Sequence, residues 1–169
     1  MTHHERVRAL VRDALLAAIL IAAKETFAAM PGEPVTLLLM AYTAVYRFRA
    51  LVPLYVFVAV QAILYPSVES TLMYLYVWLV LWGIVMLLPK KPLPAPVYMV
   101  IGGLYGLAFG TLCAPAHAFY FGLSLKGMVA WIIAGFLSFD VTHGIANFFI
   151  CVLTPILIRL LMKLENRKI

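Results

Sequence analysis

The chain has 169 residues, of which 65% are hydrophobic and only 12% charged, and its mean hydropathy is +1.02. A soluble domain of this size carries about twice that charged fraction, so the composition excludes an ordinary soluble globular protein. The formal net charge of +6 sits at the ends of apolar runs, which marks it as a topology signal rather than a nucleic-acid surface.

No stretch is long enough for a separate soluble domain, so residues 1–169 read as one transmembrane unit. No Gly-x-x-x-x-Gly-Lys-Ser/Thr loop occurs, so the chain has no phosphate loop with which to drive transport by itself. A long apolar run near the N-terminus lacks a small-residue cleavage site and reads as a span rather than a cleavable signal. Cys113 and Cys151 lie inside apolar runs without CxxC or zinc spacing and read as small packed side chains.

Taken in order, Arg6, Arg8 and Arg12 precede a first span over Ala9–Met30. Pro31-Gly32-Glu33-Pro34 breaks it. The second span, Val35–Tyr46, ends at Arg47 and Arg49. The third, Leu51–Tyr65, tolerates Pro53 in its first turn. Pro66–Glu69 is a turn, and Thr71–Leu88 is the fourth span. The proline-rich linker Pro89–Pro96 precedes the fifth span, Val97 to about Ala114. Ala116–Leu137 is expected to form an outer cap of short helices and loop. The sixth span runs from about Phe139 to Met162. The second and third spans are short: about fifteen residues reach only ~22 Å, against a hydrocarbon core of about 30 Å.

The cations fix the orientation. With six crossings, Arg6, Arg8, Arg12, Arg47, Arg49, Lys90, Lys91, Arg159, Lys163, Arg167 and Lys168 fall on one side, and Lys24 and Lys126 on the other. By the positive-inside rule both termini are cytoplasmic. A seventh crossing at Gly127–Leu137 would place the C-terminal cations outside and is rejected. The expected fold is therefore an all-α integral membrane bundle of six transmembrane helices, with N-terminus and C-terminus inside.

Several groups stand out against this apolar background. Asp140, His143 and Asn147 follow i, i+3, i+7 spacing and share one arc of a helix. Ionisable and polar groups at membrane depth are costly and face a cavity or a partner, so this arc is expected to line a polar pocket. Lys24 and Glu25 lie near the outer end of the first helix. Lys24 at that height either snorkels to headgroups or, with Glu25, lines an outward pocket. Tyr74 and Trp78 share a face of the fourth helix and form either an interfacial belt or a stacking surface. Gln61 and Tyr65 at the end of the third helix are weaker candidates, and His117, Tyr120 and Trp131 fall in the cap. Ala14, Ala18 and Ala22 form a small-residue stripe that permits close helix approach, inside this chain or against a partner. Asp140 and His143, even with Glu25, are too few for a metal centre, and none is assigned.

Six short-looped helices, the alanine stripe, and a sixth helix opening Phe139-Asp-Val-Thr-His-Gly-Ile-Ala-Asn147 together resemble the substrate-binding S component of an energy-coupling factor (ECF) transporter. The resemblance covers essentially the whole chain and rests on the order of these features. Val56-Phe-Val and Tyr74-Leu-Tyr-Val-Trp78 also resemble segments of one S-component subgroup. The resemblance implies a vitamin or vitamin-like ligand bound near the outer face, for which Glu25, Tyr74, Trp78, Asp140, His143 and Asn147 are the candidate binding residues. It implies docking through Ala14, Ala18 and Ala22 on a transmembrane T subunit, and two partner ATPases that hydrolyse ATP and tip the S component in the bilayer. No cofactor is then expected on this chain, and its location is the prokaryotic cytoplasmic membrane. The subgroup looks cobalamin-like, with queuine-type and folate-type specificities as alternatives. The rival from another class is a membrane-embedded enzyme using Asp140 and His143 as acid and base; a ligand-free structural subunit is a third reading.

Overall fold

The computed structural model describes residues 3–28 and 32–166. The expected end of the first span at Met30, the break residue Pro31, and the cations Arg167 and Lys168 lie outside the described residues. Helix accounts for nearly all of the described chain, and no strand occurs in it. The elements are α1 (His3–Thr26), α2 (Pro34–Tyr46), α3 (Leu51–Leu64), α4 (Val68–Met86), α5 (Ala95–Phe121), α6 (Leu125–Gly135), α7 (Val141–Ile150) and α8 (Thr154–Asn166). Short 3-10 turns at Arg47–Ala50 and Cys151–Leu153 link α2 to α3 and α7 to α8, and a π-helical turn at Phe136–Asp140 links α6 to α7.

Four helical stretches are long and apolar enough to cross a membrane: Pro34–Leu64, Val68–Met86, Ala95–Phe121 and Leu125–Asn166. The α1 helix falls outside this group because Arg12, Asp13, Lys24 and Glu25 interrupt its apolar run. The first stretch is not straight. Arg47 has φ 55° and ψ −124°, a backbone state that a non-glycine residue enters rarely, and the chain folds back there. Side-chain pairs record the reversal. Before the bend, Glu33 pairs with Lys24; after it, Arg49 pairs with Asp13; at the end of α3, Gln61 returns to Glu25. Asp13 and Lys24 are about 16 Å apart along α1 at ~1.5 Å per residue. The Arg47 guanidinium meanwhile donates to the carbonyls of Val85, Met86 and Leu88, at the end of α4, where carbonyls run out of i+4 helical donors.

The region expected to be a cap of short helices and loop is a helical hairpin instead. The α5 helix continues through Pro115 to Phe121, and only Gly122–Ser124 separates it from α6. Proline removes one N–H and crowds the preceding turn, a disruption that neighbouring groups can compensate in apolar helices. Here the Tyr76 hydroxyl donates to the Leu112 carbonyl at 2.6 Å, beside the affected turn. Gly122, with φ 63°, then closes the helix in the left-handed conformation.

From this hairpin the chain descends against α5 in steady antiparallel register. His117 stacks on Trp131, Asp140 meets Gly110, Gly144 meets Gly106, and Cys151 meets Gly102. The approach depends on missing side chains: a Cβ at Gly106 would lie 2.8 Å from the Gly144 Cα, and one at Gly102 would lie 2.4 Å from the Cys151 sulfur. Between apolar helices in lipid, such close packing replaces the hydrophobic drive that water would supply. Large apolar residues on the outside, among them Leu10, Ile63, Leu104 and Phe119, give the bundle an exterior suited to acyl chains.

One end of the bundle gathers cations. Arg12 binds Glu165 at 2.7 Å and Asp13 at 3.1 Å, Arg49 binds Asp13 at 2.9 Å, and Arg12 lies 4.6 Å from the centre of the Tyr46 ring. Gly106→Ala should force α5 and α7 apart and destabilise the protein by about 1–3 kcal/mol. Gly83→Ala in α4, where a Cβ meets nothing within 4 Å, should be neutral or stabilise by up to about 1 kcal/mol. Unfolding of the two detergent-purified variants checks this, and equal stabilities would contradict the packing account.

Candidate functional site

At the end of the bundle opposite the cation cluster, α1, α3 and α4 enclose a cleft of about 330 Å³. Its walls include Lys24 and Glu25 from the last turn of α1, Gln61 and Tyr65 from the end of α3, and Thr71 and Tyr74 from the start of α4. Val58 and Ala62 supply apolar wall between them. Three helix ends converge here because α3 runs beside α1 and α4 returns beside α3 after a three-residue turn. Ser67 fixes that return by accepting from the Ser70 backbone N–H as an N-cap.

The polar groups are ordered. The Glu25 carboxylate accepts from Gln61 Nε2 at 2.8 Å and from the Tyr65 hydroxyl. Lys24 donates to Glu33 at 3.0 Å, with the Tyr74 hydroxyl alongside. Glu33 is only 6% exposed, just ahead of α2, and its backbone N–H donates to Asn147 Oδ1 at 2.8 Å. The side chains of Lys24, Glu33 and Asn147 thus tie α1, the start of α2 and α7 together behind the cleft.

The sequence-derived candidates separate into two groups. Glu25 and Tyr74 line the cleft together, joined by Gln61 and Tyr65. Trp78, Asp140, His143 and Asn147 are buried within the bundle and are not among the cleft-lining residues. Trp78 lies one turn below Tyr74, in ring contact with Tyr74, Phe57, Tyr105 and Phe109. Asp140 accepts from the Gly110 N–H at 2.9 Å, across an interface so close that a Cβ on Gly110 would clash with the carboxylate. The His143 ring lies between Phe109 and Phe139, with centroids 5.2 and 5.0 Å away. Asn147 holds the start of α2, with Thr36 as a second neighbour. Their arc does point inward, but in this structure its contacts are with other helices.

Ala14, Ala18 and Ala22 are exposed on the outside of α1, whereas Leu16, Ala17 and Leu20 face the bundle. In the α5–α6 hairpin His117 pairs with Glu69 and stacks on Trp131, centroids 4.4 Å apart, while Tyr120 is half exposed. Among the described residues no three His, Cys, Asp or Glu side chains are grouped to hold a metal. Sequence reasoning missed Glu33. In Pro31-Gly32-Glu33-Pro34 it reads as a turn residue, and its partners Lys24 and Asn147 are 9 and 114 positions away.

No family model matches the chain, and comparisons with curated proteins and with solved structures return no match.

Asn147→Leu should leave the Glu33 N–H, just ahead of α2, unanswered in a buried place and cost about 1–3 kcal/mol. Chemical unfolding of the purified variant measures this, and wild-type stability would remove Asn147 from the architecture of the site.

Proposed function

We propose that this chain is a membrane-embedded capture subunit for a small molecule, of the kind represented by ECF-transporter S components. The observation that carries the reading is the outer cleft, where Glu25, Lys24 and Tyr74 meet at three helix ends with apolar wall between them. Small-molecule sites are concave and mostly apolar, with a few placed polar groups. On this reading six segments cross the bilayer. The reversal at Arg47 divides the first apolar stretch into two, α1 supplies one more, and the cation-rich end is cytoplasmic with both termini.

The ligand is a vitamin or vitamin-like compound. A cleft of about 330 Å³ lies at the lower end of the range that holds drug-sized molecules. That favours a compound smaller than cobalamin. The burial of Asp140 and His143 against other helices favours ligand capture over acid–base catalysis by that pair. The outward exposure of Ala14, Ala18 and Ala22 supports docking on a T subunit, whose two ATPase partners then supply the energy.

Two experiments test this. Proteoliposomes carrying the chain alone, with ATP inside, should bind a labelled vitamin mixture without concentrating it, whereas the assembled complex should concentrate one component. Accumulation by the chain alone contradicts the assignment. Ala18→Trp, placed on an exposed face, should abolish co-purification with the T subunit while leaving the melting temperature of the isolated chain within about 2 °C of wild type, since surface changes stay within roughly 0.5 kcal/mol. Retained assembly contradicts docking through the stripe.

A further inference from the structure

We infer that the molecule held in the outer cleft is a small, positively charged nitrogen base rich in N–H donors. The inference rests on the capture reading above and names the ligand class for that same site.

Charge is the first support. Three charged side chains meet at or just behind the cleft: Lys24, Glu25 and Glu33. Lys24 is committed to Glu33 at 3.0 Å. The trio sums to one negative charge, and the carboxylate without an ion-pair contact among the described residues is Glu25, which lines the cleft itself. Its hydrogen-bond donors Gln61 and Tyr65 are neutral groups that orient the carboxylate without cancelling its charge. A carboxylate offers about four acceptor positions, so Glu25 retains capacity for a ligand N–H.

The second support is independent of Glu25. Glu33 Oε1 is buried and has no hydrogen-bond partner among the described residues. Buried polar atoms ordinarily find partners, and one that does not calls for an explanation. This atom stands behind Lys24 and near Tyr74, both of which line the cleft. Glu33 does not itself line the cleft, so a ligand N–H would meet this atom on parting those two side chains. Both unfilled positions, at Glu25 and at Glu33, are acceptors, so a donor-rich ligand satisfies them and an anionic one satisfies neither. The tyrosine rings at 65 and 74 add faces that attract cations, while Val58 and Ala62 accommodate an apolar body.

The test uses three near-isosteric probes: benzamidine, a planar cation with four N–H groups; benzamide, its neutral counterpart; and benzoate, the anion. Each is titrated into the purified full-length chain at neutral pH, following the melting temperature. Benzamidine should half-saturate at a concentration at least tenfold below benzamide, with no saturable effect of benzoate. Glu25→Gln should bring benzamidine and benzamide within twofold of each other. Glu33→Gln should weaken benzamidine severalfold if the variant folds; if it does not fold, Glu25→Gln alone decides. Benzamide or benzoate binding as tightly as benzamidine, or an unchanged preference in Glu25→Gln, overturns the inference.

A vitamin mixture split on ion exchangers separates this failure from failure of the capture reading. Stabilisation by the fraction retained on a cation exchanger supports the inference. Stabilisation only by the anionic or neutral fractions overturns it and leaves capture standing. No stabilisation by any fraction removes both.

Discussion

The chain of contacts from Lys24 through Glu33 to Asn147 is the constraint on which the site depends. Each link joins a different helix, and each satisfies a group that could not be left bare in an apolar interior. The Glu33 carboxylate takes the Lys24 ammonium, while the Glu33 N–H meets Asn147. A buried ion pair is weak evidence for net stability, but removing one member strands the other at high cost. The pair therefore fixes the position of α2 relative to α1 more than it strengthens the bundle. With α1 held there, its next residue, Glu25, turns toward Gln61 and Tyr65, and the cleft follows.

The other half of the bundle rests on a different device. The α5 and α7 helices meet backbone to backbone at Gly106 and Gly144, while Gly110 and Gly102 leave room for the Asp140 and Cys151 side chains at either end of α7. The polar residues on this seam, Asp140 and Asn147, are spent on holding helices. His143 sits among rings at the same seam. An aromatic series runs from the seam to the cleft wall: Phe139, His143, Phe109, Trp78 and Tyr74, each ring centroid within 6 Å of the next. Rigid packing behind Tyr74 is what lets a cleft at helix ends keep its shape.

The apolar runs, the all-helical class and the breaks at Pro34 and Pro66 were legible in the sequence because hydropathy and proline act locally. The bend at Arg47 was legible as a cluster of cations, though its positive φ was not. The segment 116–137 was legible as short helix and loop, but the continuation of α5 through it to Phe121 was not. In the fold Pro115 is absorbed within α5, and Gly122 makes a single tight turn. Glu25 and Tyr74 could be singled out as polar or aromatic groups near a helix end. That they share a cleft with Gln61 and Tyr65 depends on three helices ending together, which no spacing along one helix encodes. The arc of Asp140, His143 and Asn147 was legible only in part. Its spacing identified a common inward face but could not tell a ligand from a neighbouring glycine backbone.

Mass spectrometry of small molecules retained by the purified chain tests the central claim most directly, with the Glu25→Ala variant prepared in parallel. The account predicts a small nitrogen-containing compound that co-purifies with the wild-type chain in near-stoichiometric amount and is depleted at least tenfold from the variant. A wild-type chain that retains no small molecule when purified from vitamin-rich medium, or a compound retained equally by both, would contradict it.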